Sequence, residues 1–427
     1  MTTALGFMSI FVLALLGAPL FVIIMAAALL GFHITDIPYE ILAVEFYRIA
    51  DTPMLIALPL FTLTGYLLAE SKTSERLVRV SQALIGWAPG GLSMIGFITC
   101  ALFTAFTGAS GVTIVAIGAL LYPALKQVGY NKRFSLGLIT SSGSLGLLLA
   151  PSLPLILYGI IAQQMGIGEP FTLADLFLAG LLPALLMITL LGFYSLWANR
   201  HEKIERQTFN LAELKTAVWE AKWEIPLPAI ILFGIYSGVL AISETAAIAC
   251  VYVALVEICI YREIKFCHMP DIIQRSMTMV GGIILILAAS LALTNVIVDA
   301  EIPMHIFEWM QQHVSNKLMF LILLNILLLV LGAFLDIFAA IVIVVPLILP
   351  IAVSYGIHPV HLGIIFLANM QIGYFTPPVG MNLFIASYRF KKPITELYKA
   401  CIPFMLVLML AVMIITYVPW LSLGLLG

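Results

Sequence analysis

Apolar residues run through this chain in long blocks, and short breaks between the blocks hold nearly all of its charge. A block of about 20 apolar residues matches one helical crossing of a hydrocarbon core roughly 30 Å thick. Reading blocks against breaks predicts crossings at 4–31, 54–69, 134–163, 171–197, 225–241, 245–261, 277–298, 361–388 and 401–421. Two further blocks, 91–126 and 318–354, are too long for one straight helix, and each has a polar break near its middle. We read both as re-entrant helical hairpins. Irregular backbone at membrane depth must be buried in protein or line a wet cavity, so their tips point to a site.

The breaks come twice. Pro123, Gly129, Gly146 and Pro151 recur as Pro350, Gly356, Gly373 and Pro378, at a common step of 227 residues (356 − 129). In the first copy Thr107-Gly108-Ala109-Ser110-Gly111 interrupts the hairpin, and Ser141-Ser142-Gly143-Ser144 with Pro151 interrupts the helix at 134–163. In the second, Gly332 to Asp336 and then Gly373 with Thr376-Pro377-Pro378 do the same, the latter within 361–388. Duplicated helices broken at membrane depth are how secondary carriers build a site for an ion and a solute. The expected fold is an all-α polytopic membrane protein of two repeats. The first is 1–198, with scaffold helices in 4–70 and a closing helix at 171–197. The second is 225–427, and a linker at 199–224 joins them.

Charge gives the two repeats a direction. The breaks at 70–79, 126–133, 200–222, 262–275 and 389–399 hold every Lys and Arg except Arg48 and Lys317. The positive-inside rule places these breaks in the cytoplasm. Threading then puts the N-terminus inside, the first hairpin entering from the cytoplasm, the second from the opposite face, and the C-terminus outside. Segment 70–79 is basic, whereas its counterpart near 299–313 carries Asp299, Glu301 and Glu308 and no Lys or Arg. The repeats therefore read as inverted, as alternating access around a midplane site requires. In the linker, Leu211, Leu214, Val218 and Trp219 fall at helical spacing beside Glu213, Lys215, Glu220 and Lys222, which predicts an amphipathic helix on the cytoplasmic surface. Segments 75–87 and 304–313 read as similar interfacial arms.

Composition agrees: 62% of residues are hydrophobic, 10% are charged and the mean hydropathy is +1.12. Soluble domains average about 25% charged residues. A net charge of −2 argues against nucleic acid, which requires a basic face. The first apolar run lacks a basic leader and a small-residue cleavage site, so it reads as a retained helix. The five cysteines show neither metal spacing nor a redox pair and read as small hydrophobes. The seven histidines lie at or near breaks and read as water-facing. No P-loop motif is present.

The tips hold the candidate chemistry. A half-helix that starts in the membrane offers free N–H groups, and one that stops offers free carbonyls. A hard cation such as Na⁺ takes several oxygen ligands. Thr107, Gly108, Ser110 and Gly111 offer these at the first tip, with Ser142, Gly143 and Ser144 on the facing broken helix. Asp336, Asn369, Gly373, Thr376 and Pro377 are their counterparts in the second copy. Small residues also serve close helix packing, so each stands with that alternative beside it. Asp336 reads equally as ion ligand or helix cap, and Glu244 as a cap.

Several motifs, in order, resemble the large membrane subunit of tripartite ATP-independent periplasmic (TRAP) transporters. They are Phe106 to Gly118, Pro151 to Gly159, Gly234 to Gly238 with Ser243 to Ala247, and Gly373 to Phe384. The resemblance covers essentially the whole chain. It implies a bacterial inner-membrane carrier driven by Na⁺, moving by an elevator motion of the hairpins and broken helices. It also implies a separate small four-helix membrane subunit and a soluble periplasmic protein that delivers an organic acid of the C4-dicarboxylate or sialic acid kind. Two positions depart from the pattern: Ile337 follows Asp336 where Pro is frequent, and Ala241-Ile242-Ser243 precedes Glu244 where Thr-Pro-Thr is usual. A self-sufficient Na⁺-coupled organic-anion carrier is the nearest alternative, and a channel or membrane enzyme the third.

Overall fold

The computed structural model describes residues 2–50, 53–88, 90–202, 209–237, 239–302, 304–305, 308, 314 and 316–426. Every regular element among the described residues is helical. Polar side chains start the helices where the breaks end. Asn131, Thr172, Asn210, Asn316 and Asp336 each accept a hydrogen bond from a backbone N–H in the first turn that follows.

Both long apolar blocks are helical hairpins. Gly91–Thr107 and Ser110–Gln127 form the first, Lys317–Phe334 and Ile337–Ser354 the second. Their ends keep the same step (107 to 334, 110 to 337, 127 to 354). Each hairpin is followed by a broken helix. The first runs Lys132–Ser142, a short 3₁₀ turn Leu145–Leu148, then Leu153–Met165. The second runs Pro359–Gly373, then Met381–Phe390. A cis peptide bond lies in each break, at Ala150–Pro151 and Pro377–Pro378.

The helices sort into two packing groups. In the core group, Lys317–Phe334 packs on Pro359–Gly373, Lys132–Ser142 on Ile394–Tyr417, and Ile337–Ser354 on Leu153–Met165. Every residue of Pro359–Gly373 is buried, so this half-helix forms the centre of the core. In the scaffold group, Met269–Asp299 packs on Leu20–Thr35, Glu40–Ala50 and Ala57–Glu70, and the last of these also packs on Ile242–Ala254. The groups touch where Ala57–Glu70 meets Gly91–Thr107 and where Met269–Asp299 meets Ile337–Ser354. The first contact is close: a methyl group on Gly65 would lie 2.5 Å from the Phe106 carbonyl oxygen.

Three expectations change. Segment 4–31 is two helices, Thr2–Leu15 and Leu20–Thr35, folded so that Gly6 lies against Leu30. Gly17, at φ +74°, and Pro19 break the run without any polar residue to announce it. Segment 225–241 yields Pro226–Tyr236, whose 11 residues reach only about 16 Å. His361 does not face water. It is buried, with Nδ1 2.7 Å from Ser422 Oγ and Nε2 3.3 Å from the Thr416 carbonyl. The C-terminal helices cover the half-helix that carries it and satisfy its ring. The arm expected at 304–313 falls largely outside the described residues.

The first arm is the helix Thr73–Ile85, and charge pins it to the scaffold. Arg76 lies 2.5 Å from Glu224, 2.6 Å from Glu263 and 3.6 Å from Glu257, with its guanidinium 4.0 Å from the Tyr261 ring centre. Burial alone would lower the Arg76 pKa, but hydrogen bonds to Glu224 and Glu263 outweigh it and hold it above its ordinary value. Burial pushes the Glu263 carboxyl up, yet Arg76 and the Lys72 amide bring it below the usual carboxylate range. Arg79 bonds Glu213 and Glu220 on the linker helix Leu211–Glu220. These ion pairs tie the arm to the scaffold and the linker, while its helix also packs on Gly91–Thr107 and Ser110–Gln127 of the first hairpin.

Candidate functional site

The two hairpin tips wall one cavity of about 600 Å³. Gly108, Ala109, Ser110 and Gly111 line it from the first tip, Asp336 and Phe338 from the second, and Tyr374 from the break of the second broken helix. The scaffold closes the other side with Tyr66, Glu70, Arg275 and Met279. The cavity therefore sits on the seam between the two packing groups.

The first tip turns at Gly108, whose φ of +64° favours glycine and whose N–H returns to the Thr104 carbonyl at 2.8 Å. A side chain there would also strike Leu153, at 2.5 Å. The helix that follows starts at Ser110 behind Ala109, and no side chain caps it. Its first amides and positive dipole end are therefore offered toward the cavity. Ser110 Oγ donates to Asn382 Oδ1 at 2.7 Å, which fixes the tip to the second broken helix.

The second tip has the same frame and opposite charge. Asp336 Oδ2 accepts from the Phe338 N–H at 3.1 Å, so it does cap its helix. Its Oδ1 accepts from the Tyr374 hydroxyl at 2.8 Å, and that hydroxyl accepts from the Ile337 N–H at 3.0 Å. Asp336 is thus both a cap and a cavity wall, so the two sequence readings of it are compatible.

The other predicted residues stand behind this wall. Thr107 ends the first hairpin helix and is buried. The Gly143 carbonyl accepts from Thr104 Oγ1 at 2.8 Å, Ser142 Oγ lies 3.4 Å from the Ile139 carbonyl, and Ser144 Oγ donates to the Gln371 carbonyl at 2.9 Å. Ser144 and Gln371 are themselves 227 residues apart, so this bond ties the two broken helices together at equivalent points. Gly373 serves packing, since a methyl group there would lie 2.5 Å from the Gly332 Cα. Thr376 Oγ1 bonds the Ile372 carbonyl at 2.8 Å, and Pro377 opens the cis bond beside it. Asn369 is fully buried and away from the cavity. Its amide donates to Asn325 Oδ1 at 2.6 Å while its own Oδ1 lacks a hydrogen-bond partner. The outlying candidate Glu244 caps Ile242–Ala254 by accepting from the Ala241 N–H at 2.8 Å.

Sequence reasoning passed over Tyr374, Asn382 and Arg275. The first two lie inside the motif that begins at Gly373, where only Gly, Thr and Pro stood out. Arg275 closed a basic cytoplasmic break and gave no sign of facing a tip. Arg275 is an exposed arginine at the cavity wall, its side chain 57% accessible.

Comparison with known proteins agrees with this architecture. Residues 7–421 match the family described as "Tripartite ATP-independent periplasmic transporter, DctM component". A C4-dicarboxylate TRAP transporter large permease protein of Rhodobacter capsulatus is 34% identical over 92% of this chain and 91% of its own length. An isethionate TRAP transporter permease protein, DctMQ, of Oleidesulfovibrio alaskensis is 34% identical over 90% of this chain and 60% of its own. In fold, the chain resembles the YdaH transporter of Alcanivorax borkumensis, with a TM-score of 0.65 at 13% identity, over 96% of this chain and 99% of that one. It also resembles Neisseria gonorrhoeae MtrF, with a TM-score of 0.58 at 11% identity, over 88% and 82% of the two chains. With its long apolar helices and a family match across nearly its whole length, this chain is a multi-pass protein of the bacterial inner membrane and belongs to the DctM family of TRAP transporter large permeases.

Proposed function

We propose that this chain carries an organic acid anion together with Na⁺ across the inner membrane. The observation that supports this most is the pairing of the tips at one cavity. An uncapped helix N-terminus favours a carboxylate, and a carboxylate held by a tyrosine hydroxyl favours a cation. On this reading the solute's acid group lies on the Ala109–Gly111 side, and Na⁺ lies on the Asp336 side with backbone carbonyls of the break. The cavity volume falls within the range usual for small-molecule sites, roughly 300–1,000 Å³.

The solute class is supported by relatives named for C4-dicarboxylates, isethionate and 2,3-diketo-L-gulonate, beside one named for ectoine and 5-hydroxyectoine. A small four-helix membrane subunit and a soluble periplasmic binding protein would complete the system. The motion would be an elevator. Hairpins and broken helices form one packing group, the scaffold forms another, and the cavity lies on their seam. The repeated helix ends and the charge pattern support two inverted repeats.

Uptake into proteoliposomes tests this reading. Labelled C4-dicarboxylates, hydroxy acids and keto acids are offered with and without a Na⁺ gradient, and with and without the binding protein. Accumulation of one of them that requires both is expected. Equal uptake without Na⁺ would defeat the coupling. Uptake that needs no binding protein would favour the self-sufficient carrier.

A further inference from the structure

Arg275 is the only cationic residue lining the tip cavity among the described residues. Its guanidinium lies 3.1 Å from Glu70 and 2.6 Å from Asp271, all three side chains being substantially exposed. A second crevice, of about 440 Å³, lies elsewhere on the same seam. The scaffold lines it with Ile37, Ile41, Arg48 and the stretch of Met269–Asp299 that includes Leu291, Asn295 and Asp299; the core lines it with Gln164 and Met165. Arg48 is the only cationic residue there, again among the described residues. It lies 3.4 Å from Glu45, whose same oxygen accepts from the Asn295 amide at 3.0 Å.

Two relations link these crevices. Arg48 and Arg275 stand 227 residues apart, the step that relates the hairpins, the breaks and the Ser144–Gln371 bond. They also lie toward opposite ends of one helix. Arg275 is near the start of Met269–Asp299, while Asn295, against the Arg48 cluster, is near its end. Twenty residues of helix rise about 30 Å, the thickness of the hydrocarbon core. The scaffold therefore holds an arginine with its own carboxylate partners toward each end of this helix, the arginines equivalent in position and the partners not, and only the Arg275 set meets the tips in this structure.

We propose that Arg275 and Arg48 are alternate anchors for the solute's carboxylate, one serving each end of the transport cycle. The inference rests on the organic-anion reading of the tip cavity. A guanidinium grips a carboxylate with two parallel N–H donors and stays charged at any working pH. Glu70 with Asp271, or Glu45, holds the arginine when the site is empty. Solute binding then exchanges one carboxylate for another, an almost even trade that leaves the anion able to depart. As the tips travel along the scaffold, the solute passes from one arginine toward the other.

Sided measurements on the reconstituted transporter with its partner subunits test the proposal. The probe is whichever acid of the panel above the wild type carries fastest. Half-saturation is read separately from the cytoplasmic face, by efflux, and from the outer face with loaded binding protein. Arg275→Ala is expected to raise the cytoplasmic value about tenfold and leave the outer value unchanged, and Arg48→Ala to do the reverse. Lysine at either position should recover part of the shift, and the Na⁺ half-saturation should not move. Unchanged values in both variants, or equal shifts at both faces, would overturn the proposal. Should Arg275→Ala fail to fold, the double variant Glu70→Gln with Asp271→Asn keeps the arginine and removes both of its competitors, so it must lower the cytoplasmic value; no change there would be equally fatal. A wild type that carries no acid of the panel would instead overturn the reading on which the proposal rests.

Discussion

The two hairpin tips share a backbone plan and differ in what they offer. Both turn between helices that end and begin at equivalent positions. The first tip places Ala109 before its second helix, and no side chain answers the free amides. The second places Asp336 there, which caps the helix and adds a negative charge steadied by Tyr374. One residue difference at the N-cap thus turns an anion-favouring end into a cation-favouring one. The lesson is that two tips of the same backbone plan can offer opposite charge by varying the cap.

The break of the second broken helix holds both ends of this contrast. Tyr374 reaches the second tip and Asn382 the first, and the Asn382 N–H returns to the Tyr374 carbonyl at 2.8 Å. The Gly380 N–H also bonds the Ala333 carbonyl at 3.0 Å. The two tips are therefore joined through a single short segment, and on the proposed assignment occupancy of one site would bias the other.

Substitutions that strip one tip at a time sharpen the contrast. Asp336→Asn should have the largest effect, because asparagine can still cap the helix but the negative charge that favours a cation is gone. Na⁺-driven uptake should fall about 100-fold while the melting temperature stays close to wild type. Ser110→Ala should follow, because it leaves Asn382 Oδ1 without its donor at a cost of about 1–3 kcal/mol. The solute half-saturation should rise about tenfold and the Na⁺ value should hold. Tyr374→Phe should be milder, raising the Na⁺ half-saturation by about fivefold, since Asp336 keeps its backbone bond.

The smallest effect on the tips should come from Glu263→Gln, at the arm. The Glu263 pKa lies below the usual carboxylate range, so its ion pair with Arg76 stabilises the fold at pH above that range. That stability is lost as pH falls through the lowered value. Thermal melts should show the variant less stable at neutral pH and indistinguishable from wild type in acid, with neither tip's half-saturation changed.

Much of this was legible in the residues. Polar interruptions inside long apolar blocks mark where the hairpins turn, since exposed backbone and polar side chains at membrane depth need a protein or water partner. Asp336 stood out because an ionisable side chain in such a block is costly. What escaped notice had a physical reason in each case. The turn at Gly17 to Pro19 lies in apolar sequence, so no polarity change announces it. Tyr374 and Asn382 act through neighbours far off in sequence. His361 sits two residues into a half-helix beside a loop, and only the packing of the C-terminal helices shows that it is enclosed. Arg275 reaches the cavity because Met269–Asp299 packs on Ala57–Glu70 and on Ile337–Ser354 of the second hairpin, a relation of tertiary packing alone.

Equilibrium binding of ²²Na⁺ to the purified transporter without solute tests the division between the tips most directly. Wild type and Ser110→Ala should bind Na⁺ with the same affinity, and Asp336→Asn should lose it. Undiminished binding in Asp336→Asn, or its loss in Ser110→Ala, would contradict the assignment of the cation to the second tip.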